Sequence, residues 1–160
     1  SKQLIGFVTG LRPEEYNDVL GCYATALPCF INIRNSTTDR ALLNEVSKTL
    51  WDKLSYGPIP FKIALSHIRA KGFARSFRGI QTVISLDDQA TRSLQLLGVR
   101  TEPRRFHSGF SNFPLELKIE VTDTDFVFAF EYRTELYYEK TISRLSQNFL
   151  HTLFCFAHDS

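Results

Sequence analysis

Long apolar runs are missing from this sequence; none approaches the ~20 residues that a membrane-spanning helix requires. Blocks of like charge are missing too, and the formal net charge is only +2, too small to favour a grip on nucleic acid. Cysteine is scarce. Cys22, Cys29 and Cys155 are odd in number and lack the paired spacing of a metal site, which points to reduced thiols in a cytoplasmic setting. No charged and then apolar leader opens the chain, so secretion has no support. Internal repeats, linkers and low-complexity tracts are also absent, and a single domain over residues 1–160 is expected.

What is present suits a folded core. Hydrophobic residues make up 43% of the chain and charged residues 22%, a balance outside the disordered range. A chain of this length buries roughly 70% of the surface that its unfolded form exposes.

Apolar residues from about Leu4 to Val8 predict a strand, followed by a loop from Gly10 to Asp18 and a second strand from about Tyr23 to Ile33. Pro28 has no N–H to give to a ladder, which puts that second strand at an edge or a bulge. Ser36, Thr37 or Thr38 can cap the next helix, where Leu42, Val46, Leu50 and Leu54 recur every four residues on one face. Gly57 and Pro58 stop it. A shorter helix from about Pro60 to Ala70 exits at Gly72, and Phe77 to Leu86 reads as a buried strand. The stretch from Asp87 to Asn112 has room for a short helix at Ala90–Leu97 and a strand near Val99–Phe106. Leu115, Leu117, Ile119 and Val121 then alternate strictly, Asp123-Thr124-Asp125 turns the chain, and Phe126, Phe128 and Phe130 alternate again, the clearest hairpin in the sequence. The last helix starts near Tyr138 and lines Ile142, Leu145, Phe149, Leu153 and Phe156 along one face. One α/β domain of mixed strands and three helices is the simplest assembly.

Several short motifs stand in a definite order. Gly10-Leu11-Arg12-Pro13 closes the first strand, and Gly21-Cys22-Tyr23-Ala24-Thr25-Ala26-Leu27-Pro28 opens the second. Pro60-Phe61, the run Arg75 to Val83, Phe113-Pro114-Leu115-Glu116-Leu117, Glu131-Tyr132-Arg133-Thr134-Glu135-Leu136-Tyr137 and Arg144 to Leu150 follow. In order and spacing these segments resemble the late motifs of the condensation domains of nonribosomal peptide synthetases. The sequence departs from that pattern with Tyr23 for Phe, Thr25 for Asn and Tyr56-Gly57 for His-Gln. The resemblance implies the later part of the C-terminal lobe, an α/β half-domain of the chloramphenicol acetyltransferase-like fold with a mixed sheet and about three helices.

The family's catalytic signature, His-His-x-x-x-Asp-Gly, has no counterpart in this sequence. His67 is followed four residues on by Lys71, His107 by Ser111 and His151 by Cys155, while His158 lies too near the end. In the family that signature belongs to an N-terminal lobe, so no catalytic residue is expected here and the chain alone should not catalyse. For the whole domain the resemblance implies amide formation, in which the amine of a carrier-bound acceptor attacks the thioester of a carrier-bound donor. The implied partners are the N-terminal lobe and acyl or peptidyl carrier proteins; the carriers bring phosphopantetheine, and no cofactor or metal is held by this chain itself. Two further readings stay open: a noncatalytic scaffold or carrier-docking domain, and an ester-forming acyltransferase of the same superfamily.

The candidate site residues follow from the same motifs. Arg12 stands where the family's arginine reaches toward the catalytic-loop Asp of the other lobe, a task suited to a planar, permanently charged fork; it also reads as a turn arginine, solvated or paired with Glu14 or Glu15. Gly21, Tyr23, Thr25, Leu27 and Pro28 would border the acceptor tunnel, where small side chains let a thin pantetheine arm approach the backbone, or would form a plain turn feeding a core strand. Arg69, Lys71, Arg75 and Arg78 concentrate positive charge, which either docks an acidic carrier protein or forms a solvated face.

Overall fold

A computed structural model describes residues 2–10, 12–33, 38–55, 61–70, 79–87, 97–99, 101, 106, 109–122 and 124–158. Strands β1 (Lys2–Gly10), β2 (Ala24–Asn32), β3 (Thr82–Asp87), β4 (Leu115–Val121) and β5 (Phe126–Tyr132) form one sheet in the order β2-β1-β3-β4-β5. The outer pairs, β1 with β2 and β4 with β5, are antiparallel, whereas β1–β3 and β3–β4 are parallel. β2 is thus an edge strand, the first of the two places expected for Pro28, since a residue without an N–H is tolerated where no second neighbour needs one.

Side chains in register share a face, and two rows cross the whole sheet. Leu27, Phe7, Ile84, Leu117 and Phe130 make an apolar row, while Pro28, Gly6, Val83, Glu116 and Glu131 make the adjacent row on the opposite face. Leu27, Cys29, Ile80, Val83, Leu115, Leu117 and Ile142 are buried.

Helix α1 (Asp39–Leu54) starts where the Thr38 hydroxyl accepts a hydrogen bond from the Ala41 N–H at 3.3 Å. It packs along β2 with Leu42, Val46, Leu50 and Leu54 half-buried, and no residue of α1 is fully buried. Helix α2 spans Phe61–Ala70, and α3 spans Glu139–His158. On α3, Ile142 is buried and Phe149 meets Phe128 and Phe130 edge-on, at centroid distances of 5.4 and 6.0 Å. Leu145 and Leu153, expected on the same stripe, remain partly exposed, at 39% and 40%. Among the described residues no helix is long and apolar enough to cross a membrane.

The strand expected over Phe77–Leu86 begins only at Thr82. Gly79, at φ +83°, turns the chain in the left-handed region, and Ile80 folds across Gly6 instead of joining the ladder. Phe77 lies outside the described residues, as do Ser36, Thr37, Gly57, Pro58, Gly72 and most of the helix and strand expected between Ala90 and Phe106; within that stretch Leu97 and Gly98 turn and Val99 makes an isolated bridge. The β4–β5 turn is closed by Thr122 and Asp125: the Thr122 N–H donates to the Asp125 carbonyl and the Asp125 N–H to the Thr122 hydroxyl, both at 2.9 Å.

Candidate functional site

β1 ends at Gly10 and β2 starts at Ala24, so these antiparallel neighbours are joined by a loop much longer than the ~2–5 residues a hairpin requires. A single helical turn, Glu14–Tyr16, opens it; Tyr16 N–H donates to Pro13 O at 2.9 Å and Val19 N–H to Tyr16 O at 3.0 Å. Arg12 gathers the rest. Its Nη1 donates to the carbonyls of Tyr16, at 2.8 Å, and of Val19, and its Nη2 donates to that of Gly21 at 3.2 Å. The guanidinium carbon sits 4.2 Å from the centroid of the Tyr23 ring, which stacks on Tyr16 at 6.3 Å.

Gly21 fits this arrangement because a Cβ there would stand 3.1 Å from Tyr23 Cε2. Among the described residues the partners of Arg12 are carbonyl oxygens and a ring, not the carboxylates of Glu14 and Glu15. Among the described residues these contacts engage three of the five N–H donors of the guanidinium.

The loop lies at the end of the sheet where β1 and β3 finish. The five expected tunnel residues divide around it. Gly21 and Tyr23 join Arg12 in the loop; Thr25 and Leu27 project to the face of the apolar row, where Leu27 is only 5% exposed; Pro28 projects to the opposite face beside Gly6. Strand periodicity forces this division, since neighbours in a strand cannot share a face. Of the basic group, Arg69 belongs to α2, and His67 on that helix is exposed. The side chain of Arg69, and all of Lys71, Arg75 and Arg78, lie outside the described residues.

Sequence reasoning missed a polar cluster on the sheet. Glu116, only 8% exposed, accepts a hydrogen bond from the Ser85 hydroxyl at 3.3 Å, and beside it Lys118 Nζ meets Glu131 Oε1 at 2.6 Å. Its signal was the charged residue at every second position of β4, on the face away from Leu115 and Leu117. Cys29 is buried, and burial pushes its thiol pKa above the ordinary value against a weaker opposing pull from Lys53. Among the described residues no three His, Cys, Asp or Glu side chains gather as metal ligands. A cavity of about 600 Å³, with Ser111, Tyr132, Arg133 and Glu135 in its wall, opens at the end of the sheet remote from Arg12.

The sheet order, the motif order and this loop define a class, and comparison with known proteins gives it a name. The family model for the condensation domain matches residues 1–160, and the chain belongs to that family. It is 23% identical over 146 residues to surfactin synthase subunit 1 of Bacillus subtilis (strain 168), covering 91% of this chain and 4% of that protein. It is likewise 23% identical over 135 residues to the chondramide synthase cmdD of Chondromyces crocatus, covering 84% of this chain and 4% of that protein. The starter condensation domain of the rhizomide synthetase RzmA shares the fold at a TM-score of 0.78 and 14% identity, over 98% of this chain and 37% of that one. The first condensation domain of the CDA synthetase does so at 0.71 and 14%, over 99% of this chain and 35% of that one. The chain therefore spans a few per cent of the curated relatives and about a third of the solved condensation domains. Among the described residues it is a mixed five-stranded sheet with three helices, the fold of the matching part of those condensation domains.

Proposed function

We propose that this chain is the later part of the C-terminal lobe of a condensation domain, and that the complete domain forms an amide between two carrier-bound substrates. The acceptor amine attacks the donor thioester carbonyl, the carbon–sulfur bond breaks, and the thiol leaves on the donor carrier with the proton the amine gives up. A histidine of the other lobe would orient or deprotonate that amine, and confinement of both substrates in one tunnel removes entropy from the barrier.

The observation that carries this reading is the Arg12 loop. Three guanidinium N–H groups hold the loop, and a permanently charged planar fork fixed in this way suits a contact with the catalytic-loop Asp. Gly21 and Tyr23, next to that arginine, would border the entry of the acceptor's phosphopantetheine arm. Fully exposed Leu20 supports a chain that packs against more protein. The basic residues Arg69, Lys71, Arg75 and Arg78 would steer an acidic carrier protein.

The test is turnover of carrier-bound donor and acceptor by the full-length parent protein and by its Arg12→Ala variant. Loss of an interaction with a charged partner predicts a rate lower by about 10- to 100-fold, with partial recovery in Arg12→Lys. Wild-type turnover in a folded Arg12→Ala variant overturns the role of the arginine. Absence of amide product from the parent with every carrier pair overturns the condensing reading, leaving an ester-forming enzyme if alcohols are acylated and a scaffold if they are not.

A further inference from the structure

Among the described residues, the loop between β1 and β2 is held by the backbone hydrogen bonds of its own turns, by one arginine and by one ring. Leu20 is fully exposed, Val19 is 47% exposed, and every residue from Glu14 to Cys22 is solvent-exposed, so apolar burial contributes little to its order. Arg12 instead ties together carbonyls at Tyr16, Val19 and Gly21, and the first residue before β2, Tyr23, lies under its guanidinium. The Tyr16 ring stacks on that of Tyr23 at 6.3 Å. Arg12 and Tyr23, near the two ends of the loop, thus touch just beyond the Gly10–Ala24 end of the ladder.

We propose that Arg12 and Tyr23 form a clamp that sets the position of the Tyr16–Gly21 segment at the acceptor entrance, with Tyr23 a positioning residue for acceptor binding. This rests on the condensing reading above for the identity of the acceptor. The clamp itself rests on geometry alone. A guanidinium over an aromatic face is held by the ring quadrupole and by stacking, so the ring matters and its hydroxyl does not. Gly21 belongs to the device because a side chain there would press on the ring edge at 3.1 Å. Losing the ring leaves Arg12 free to swing, and with it the three carbonyls that it gathers.

Two measurements on the full-length protein test this. In hydrogen exchange, Tyr23→Leu and Arg12→Gln should speed exchange of the Val19 amide, which donates to Tyr16, on the order of tenfold, with β1 and β2 amides unchanged and Tyr23→Phe retaining the wild-type protection. In steady-state kinetics, Tyr23→Leu should raise KM for the carrier-bound acceptor several-fold with a smaller change in kcat and none in KM for the donor. Unchanged Val19 exchange in both Tyr23→Leu and Arg12→Gln overturns the clamp. Faster exchange with an unchanged acceptor KM overturns its place at the acceptor entrance. A parent protein without condensing activity defeats the functional reading, and the exchange data still decide the clamp.

Discussion

Ile80 lies across Gly6 so closely that a Cβ on Gly6 would stand 2.6 Å from Ile80 Cγ2 and 2.9 Å from Val83 Cγ2. Neither is the far end of a flexible chain, and Val83 has no exposed surface at all. Gly6→Ala should therefore lower stability by about 1–3 kcal/mol through overpacking, read as a lower urea midpoint with an unchanged slope. Trimming the obstacle in Gly6→Ala/Ile80→Ala should give a loss smaller than the sum of the two single losses. Additive losses would show that the two side chains do not compete for one space.

Phe149 meets two rings of β5 at once. Phe149→Leu keeps most of the apolar volume but gives up both edge contacts, and about 1–2 kcal/mol should be lost on thermal unfolding. Phe126, 62% exposed at the hairpin end, serves as the comparison: Phe126→Leu should change stability by no more than ~0.5 kcal/mol. Equal effects at the two positions would contradict the packing of α3 on β5.

Burial raises the Cys29 thiol pKa in the folded protein, and the nearby Lys53 offsets only part of this. A raised folded value means that the native state holds its proton longer than the unfolded chain does. The associated stability is fully present below the unfolded value of about 8.5 and is lost as pH rises through the folded one. Denaturation midpoints should thus fall from about pH 7.5 to 9.5 more steeply in wild type than in Cys29→Ala. Thiol labelling of the native protein should reach exposed Cys22 first and Cys29 only on unfolding. Equal slopes would remove Cys29 from the alkaline response.

Reversing Arg69, Lys71 and Arg75 to Glu should weaken binding of an acidic carrier protein to the parent, and wild-type affinity should fall as salt rises, since exposed charges are screened over ~8–10 Å. Titration of a labelled carrier at low and high salt checks both. Affinity indifferent to reversal and to salt would make these residues an ordinary solvated face.

The hairpin of β4 and β5 was legible because strict alternation has one solution on a sheet with an apolar face, and Pro28, by the donor it lacks, narrowed its strand to an edge or a bulge, of which the sheet takes the edge. The start of β3 was not legible. Phe77 to Leu86 is apolar enough to read as one strand, and only the φ of Gly79 reveals the turn. Arg12 was conspicuous as part of a motif, yet its partners were invisible, because a carbonyl oxygen is present at every residue and has no signature in sequence. Its reach across the loop to Tyr23 depends on how the chain doubles back. Glu116 was hidden for a related reason: alternation sends it away from Leu115 and Leu117, which suggests solvent, while the register places it beside Val83, where Ser85 takes one of its oxygens.

The strand order has a consequence for how this sheet assembles. β1–β2 and β4–β5 each join neighbours in sequence, but the centre of the sheet requires Gly6 to find Val83 and Ile84 to find Leu117. Parallel pairing of this kind closes long loops, and the chain entropy is lost before any contact in the centre forms. The two antiparallel units can arise early and locally, whereas β3 must be captured between them. Assembly is therefore slow relative to helical proteins of this size, and until β3 arrives β1 and β4 each expose a bare edge able to pair with another chain.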